Sequence, residues 1–341
     1  MAKPIVIGIV GAGRIGKLHA ANVMYYMPNA KLKTIADTNL TPEMEDWAKN
    51  LGIPHVSKNP EDIFTDPEIQ VVMICSSTNT HADFIIRAAE AKKHIFCEKP
   101  IDLTTKKVVA ALDAVKKAGV QLQVGFNRRF DHNFARIHEL VKSGSVGEPQ
   151  LIKITSRDPA PPSPEYVAVS GGIFLDMTIH DFDMARFQAG SEAVEVYAKG
   201  AVLVDPAIGK AGDVDTALVT LTFANGALGV IDNSRKAVYG YDQRVEVFGS
   251  KGAAIAENDT PSNVKLYSES GVEGDKPLYF FLERYKDAFI SEMKAFLDAI
   301  ETGKTTPVTG NDGLQDLVIG LAAKKSLAEG RPVKISEIEI G

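Results

Sequence analysis

Apolar runs and amphipathic stretches alternate along the first 125 residues. Residues 4–10 read Pro-Ile-Val-Ile-Gly-Ile-Val, the pattern of a parallel strand covered on both faces. Residues 71–75, 94–97 and 120–124 repeat it. Residues 104–118 place Val108, Val109, Leu112 and Val115 on one stripe, with Lys106, Lys107, Lys116 and Lys117 elsewhere, which is a helix packed on a sheet. Strand, helix, strand in repetition predicts an N-terminal α/β domain over residues 1–125 built on a doubly wound parallel sheet.

The pattern changes after Gly125. A helix over 131–142, ended by Gly144, leads to a strand over 150–157, a Pro-rich loop over 159–164 and a short helix over 177–187. Strand-length runs then follow with little helix between them, over 194–203, 216–223, 228–232, 244–248, 253–256 and 264–267. Asn225-Gly226 between two of them is a hairpin signal. Helices over 285–300 and 313–327 close the chain. Residues 126–341 are expected to form an α+β domain with a large, open, mainly antiparallel sheet, for substrate binding and oligomerisation. Whether its C-terminal helices pack back on the first domain is left open.

Two domains suit a length of 341 residues, and 45% hydrophobic with 24% charged residues is globular composition. The net charge of −6, without a block of five like charges, argues against a nucleic-acid partner. Apolar runs stay at strand length, short of the ~18–20 residues of a membrane span. The start, Met1-Ala2-Lys3-Pro4, shows no leader pattern. The two cysteines, Cys75 and Cys97, are too few for a disulfide framework and read as core at strand ends. A cytoplasmic enzyme is expected.

Gly11-Ala12-Gly13-Arg14-Ile15-Gly16 follows the first strand at once and opens a helical pattern. In a Rossmann-type domain the first glycine permits the tight turn, the second lets backbone amides approach a pyrophosphate, and the third allows close helix–strand packing. A second strand ends in Asp37, about 20 residues beyond, where a carboxylate accepts the ribose hydroxyls and repels a 2′-phosphate. Thr38 and Asn39 supply no compensating cation, so NAD is expected over NADP.

Two further stretches carry candidate chemistry. Cys97-Glu98-Lys99-Pro100 puts Lys99 at a carboxyl end of the sheet, with Pro100 restricting it to extended geometry and permitting a cis bond. In Gly171-Gly172-Ile173-Phe174-Leu175-Asp176-Met177-Thr178-Ile179-His180-Asp181-Phe182-Asp183, a helix from Asp176 onward sets Asp176, His180 and Asp183 on one face. A carboxylate one turn from an imidazole fixes its tautomer and raises its basicity, which prepares it to take an alcohol proton. The Gly-Gly before it would permit close ligand approach. With one imidazole on that face and no cysteine nearby, a metal is not expected.

Taken together, the glycine-rich turn, Glu98-Lys99-Pro100 and the Gly172…Asp176…His180 segment resemble the glucose–fructose oxidoreductase / inositol dehydrogenase (Gfo/Idh/MocA) family, essentially end to end. Gly125-Phe126-Asn127-Arg128-Arg129-Phe130-Asp131, residues 171–187 and Tyr239-Gly240-Tyr241-Asp242 look specifically like bacterial inositol 2-dehydrogenases. The resemblance implies oxidation of a ring hydroxyl of myo- or scyllo-inositol, with hydride passing to NAD. It implies a catalytic triad of Lys99, Asp176 and His180, and polyol contacts at Asn127, Arg128, Asp183 and Tyr241 beside the triad. It also implies cofactor contacts at Gly11, Gly13, Arg14, Ile15, Gly16, Asp37, Ser77, Thr78, Asn79, His81 and Glu98, and a homotetramer built through open sheet faces. Some inositol dehydrogenases have histidine where this chain has Ser156, which puts the pocket's detail and the preferred isomer in question.

Two other readings compete. One is a sugar dehydrogenase or reductase of the same family acting on an aldose, keto-sugar or uronate; Arg128, Arg129 and Arg157 could clamp a carboxylate or phosphate, which would point to an acidic sugar. A module that senses NAD without turnover is the alternative of another class, and the presence of Lys99, Asp176 and His180 together argues against it.

Overall fold

The computed structural model describes residues 3–341, so Met1 and Ala2 of the expected leaderless start lie outside the described residues. The chain forms two compact units. One holds the described residues through Asn127 with Phe289–Leu317 and Ile340–Gly341, the other Arg128–Ala288 with Val318–Glu339.

The first unit is built on β1 (Ile5–Val10), β2 (Ala30–Ala36), β3 (His55–Ser57), β4 (Val71–Ile74), β5 (His94–Glu98) and β6 (Leu122–Gly125). They form one sheet in the order β3-β2-β1-β4-β5-β6, and every pair is parallel. Ile7, Ile9, Val71, Val72, Met73 and Ile74 are all fully buried, as their continuous apolar runs require. Strand order reverses between β1 and β4, which opens a crevice at the carboxyl ends there. A boundary at 125/126 would give the whole C-terminal stretch to the second unit, but Met293, Phe296 and Leu297 of helix Lys286–Thr302 are buried in the same core as Ile7, Ile9 and Phe96.

The second unit carries β7 (Pro149–Arg157), β8 (Ala193–Ala201), β9 (Thr216–Phe223), β10 (Leu228–Ser234), β11 (Asp242–Gly249) and β12 (Gly252–Ala256). With β15 (Val333–Lys334) they form a seven-stranded sheet, β12-β11-β7-β10-β9-β8-β15, while β13 (Lys265–Ser268) and β14 (Gly271–Gly274) pair apart from it. Every pair in the large sheet is antiparallel except β7 with β10. Asn225-Gly226 makes the β9–β10 turn, with Gly226 at φ 88° and the Asn225 side chain accepting from the Ala227 amide. Period-2 alternation sends Val219, Leu221 and Phe223 into the core and leaves Leu151, Leu218, Leu228, Phe248 and Ile255 exposed on the other face.

Two expectations change. The Pro-rich loop ends in a helix, Pro164–Ser170, with the Ser163 hydroxyl capping the Tyr166 amide. The helix expected over 177–187 is two pieces, Ile173–Asp176 and Ile179–Ala189. Among the described residues no helix is long and apolar enough to cross a membrane.

Candidate active site

The three glycines after β1 have three different causes. Gly11 has φ 101°, and a Cβ on it would meet the Cys75 and Ser76 backbone at 2.6 Å. A Cβ on Gly16 would collide with the Gly11 carbonyl oxygen, so glycine there seats the helix Arg14–Tyr26 on its own entry turn. Gly13 has φ −70° and nothing within 4 Å of where its Cβ would be. Neither backbone nor packing demands glycine at 13, and a Cβ there would enter only open space at the helix start. That helix has no side-chain cap, and its N-terminal end is of the kind that takes an anion, beside exposed Arg14 and half-buried Ile15. Asp37, just past β2, accepts from the Ala12 amide at 2.7 Å and the Asn39 amide at 2.8 Å while staying partly exposed. A dinucleotide's pyrophosphate and ribose fit this donor and acceptor set.

Past β4, Ser77 and Asn79 are exposed and Thr78 half-buried around a short turn, Thr78–Thr80, on the same carboxyl edge. His81 differs from the expected cofactor contact. It is 2% exposed, with Nδ1 2.8 Å from the Pro100 carbonyl oxygen and Nε2 3.0 Å from that of Ser76. Burial pulls its pKa down and the two carbonyls oppose that. The ring fastens the turn after β4 to the turn after β5, and its nitrogens are not offered to a ligand.

The Lys99–Pro100 bond is cis, the geometry the sequence permitted, and Lys99 is half-buried at this edge. Glu98, expected on the cofactor, stands 2.7 Å from Nε2 of the buried His19, which rides on the helix opened by the glycine turn. Sequence reasoning missed His19. Burial pushes both cysteine thiols well above their usual value, which suits packing and not nucleophilic chemistry.

In the second unit, Asp176 ends a one-turn helix and does not begin a longer one. The Thr178 amide reaches back five residues to the Ile173 carbonyl, and the next helix starts at Ile179. The single-face arrangement of Asp176, His180 and Asp183 on one continuous helix therefore does not hold. Asp176 accepts from the Tyr166 hydroxyl at 2.9 Å and from Arg235 Nη2 at 2.9 Å. Neither partner was anticipated, although Ser163-Pro164-Glu165 was a legible helix start for Tyr166. Gly172 does permit a close approach, but by Asp213: φ is 80°, and a Cβ would lie 2.8 Å from the Asp213 carboxylate, which caps the Ile173 amide. His180 is half-buried on the first turn of helix Ile179–Ala189.

The expected polyol contacts prove to be tightly engaged. Arg128 is 4% exposed, with Nη1 2.5 Å from Asp181 and Nη2 3.3 Å from the Tyr241 hydroxyl. Asp181 is fully buried and also accepts from Asn233 at 2.9 Å; burial pushes its carboxyl up while Arg128 and Asn233 pull the other way. Asp183 is fully buried against Arg129, which grips both its oxygens. Arg157 is bound to Asp232, Tyr239 and Asp242. Tyr241 is 5% exposed, burial raises its phenol well above the usual value, and its ring stands edge-on to Tyr285. Ser156, fully buried, donates to Gln243 beneath them. Arg128 and Asp183 are thus each held in a buried ion pair, while Asn127 lies buried just past β6. None of the three arginines is an idle clamp for an anion.

Two family models match. Residues 5–126 match the NAD-binding Rossmann fold of an oxidoreductase family, GFO/IDH/MocA, and residues 134–255 match the GFO/IDH/MocA C-terminal domain. The chain is 55% identical to the Bacillus subtilis oxidoreductase YrbE, covering 99% of each chain. It is 52% identical to myo-inositol 2-dehydrogenase of Thermotoga maritima, over 97% of this chain and 99% of that one. Among solved structures, scyllo-inositol dehydrogenase of Lactobacillus casei with bound NAD(H) and scyllo-inositol superimposes with a TM-score of 0.91 at 33% identity, covering 98% of this chain and 100% of the other.

Proposed function

The chain belongs to the GFO/IDH/MocA oxidoreductase family, and from that membership we propose that it is an NAD-dependent inositol 2-dehydrogenase. Its substrate would be myo- or scyllo-inositol, oxidised at one ring hydroxyl to the keto-inositol. NAD, when bound, would supply the acceptor for the hydride of the carbinol carbon. The amides around Gly13 and the start of helix Arg14–Tyr26 hold the pyrophosphate, Asp37 holds the adenosine ribose, and Ser77, Thr78 and Asn79 line the carboxyl edge.

A secondary alcohol is a very weak acid, so oxidation needs proton removal in step with hydride loss. His180 is assigned that proton, Asp176 the orientation of the base, and Lys99 the hydrogen bond that favours alkoxide character. A positioned base contributes roughly 10²–10⁴-fold. Tyr241 and Asn127 are assigned to ring hydroxyls. The observation that carries a neutral polyol over a uronate is the pairing of Arg128, Arg129 and Arg157 with carboxylates. A neutral ring is instead selected by buried donors and acceptors that an inverted hydroxyl would leave unpaired.

The bare apolar face of the seven-stranded sheet supports a homotetramer, and two buried, unbridged cysteines suit the reducing cytoplasm. The deciding experiment is steady-state kinetics with NAD on myo-inositol, scyllo-inositol, glucose, xylose and glucuronate, with His180→Ala alongside. Inositol should show the highest kcat/KM, and the variant should lose orders of magnitude in kcat at unchanged KM for NAD. Preference for an aldose or uronate would overturn the substrate, and full turnover by the variant would remove His180 from the chemistry.

A further inference from the structure

Arg235 stands in none of the motifs that identify the family resemblance, yet it is 3% exposed and lies between two carboxylates. Nη2 donates to Asp176 Oδ2 at 2.9 Å and Nη1 to Asp158 Oδ2 at 3.1 Å. Burial alone would lower its pKa, but the Asp176 and Asp158 charges outweigh that and leave it raised. The Tyr166 hydroxyl occupies Oδ1 of Asp176, so guanidinium and phenol between them address both carboxylate oxygens.

The backbone around Arg235 is fixed as firmly as the side chain. Asp158 and Arg235 directly follow β7 and β10, the parallel pair, whose register sets Arg157 opposite Ser234. The Asp158 amide donates to the Ser234 carbonyl, the Arg235 amide to that of Asp215, and the Ala237 amide to that of Asp158. Two parallel strands thus end side by side, and the residue immediately past one end, Asp158, grips the guanidinium carried by the residue immediately past the other, Arg235. A planar fork held at its base and on both prongs presents Nη2 in a fixed direction, which a flexible ammonium does not.

We propose that Arg235 is a positioning residue for the reaction, setting the orientation of the Asp176 carboxylate through a bridge anchored on Asp158. This rests on the reading of Asp176 as the carboxylate that orients the base. Displacement of a catalytic group by about 1 Å can cost ~10²-fold in rate. Truncating Arg235 is therefore expected to act on kcat and not on cofactor affinity.

The test compares Arg235→Ala, Arg235→Lys, Asp158→Asn and Asp176→Asn in the full chain, with myo-inositol as substrate. Arg235→Ala should lower kcat about 100-fold with the KM for NAD within twofold of wild type. Added guanidinium ion at low millimolar concentration should restore part of that loss, and should restore nothing to Asp176→Asn. Arg235→Lys keeps the charge without the fork and should fall about tenfold in kcat while melting near wild type, so it decides the matter if the alanine variant fails to fold. Asp158→Asn should give a smaller loss in the same direction. If Asp176→Asn is inactive while both Arg235 variants keep wild-type kcat, the positioning role is wrong and the proposed function stands. If Asp176→Asn itself turns over normally, it is the assignment of Asp176 that falls.

Discussion

Removing the Asp181 carboxylate tests whether Arg128 is framework or ligand. Asp181 is fully buried and its two oxygens meet Arg128 Nη1 at 2.5 Å and Asn233 Nδ2 at 2.9 Å. Asp181→Ala would strand the Arg128 guanidinium in the interior with only Ser156 and the Tyr241 hydroxyl as hydrogen-bond partners, at 3.3–3.5 Å. Breaking one side of a buried pair costs about 3–5 kcal/mol, because the charge left behind is uncompensated. For a unit of this size each kcal/mol moves Tm by about 2–4 °C, so a fall of roughly 6–20 °C is expected. Pairing the change with Arg128→Met removes the stranded charge and should recover most of that fall, since apolar replacement of both partners is often close to neutral. The assay is thermal melting and urea unfolding of both single variants and the double variant, with KM for inositol measured beside them. A melt within 2 °C of wild type for Asp181→Ala would refute the buried-pair account. A large rise in KM for Arg128→Met at unchanged Tm would make Arg128 a substrate contact after all.

Gly13→Ala should leave Tm nearly unchanged but raise the KM for NAD about tenfold or more, because its Cβ meets only the space assigned to pyrophosphate. Gly16→Ala should instead impair folding, since that Cβ collides with the Gly11 carbonyl; equal behaviour of the two in melting and kinetics would contradict this division. Asp37→Ala should weaken NAD and narrow its advantage over NADP, measured as the ratio of the two kcat/KM values; an unchanged ratio means the ribose is read elsewhere. Burial pushes the Asp215 carboxyl up, but the amides of Leu203, Asp205 and Val204 outweigh it and hold the group below its usual value. Its stabilisation is therefore present above the unfolded carboxylate's pKa and is lost as pH falls through the lower folded value. Asp215→Ala should accordingly destabilise the chain at pH 7 by about 1–3 kcal/mol and by less in acid, and a pH-independent difference would discount that linkage.

The first unit was legible because its signals are local. Strand β1, the glycine turn, the uncapped helix and Asp37 lie within one stretch of chain, and the need for glycine at 11 and 16 comes from the turn itself. Three-residue β3 was missed because so short a run carries no periodicity. The second unit was legible as a sheet and much less so as a site. Helix Ile179–Ala189 is buried almost all round, so every acid on it must find a cation, and no spacing rule says that Asp181 meets Arg128 or Asp183 meets Arg129 across more than fifty residues. Arg235, in Asn233-Ser234-Arg235-Lys236, reads as an ordinary polar strand end; only the β7–β10 pairing puts it beside Asp158.

That pairing has a topological corollary. A parallel neighbour cannot be reached by a tight turn, and here the chain leaves the sheet after β7, re-enters it at β8 and is laid beside β7 only as β10, after β9. Asp176 and His180 lie on the excursion between β7 and β8, and the Arg235 guanidinium, just past β10, ties Asp176 to Asp158, where that excursion begins. Amide exchange along the excursion should slow or quicken together when Arg235 is altered, as a noose tightened or slackened at a single knot.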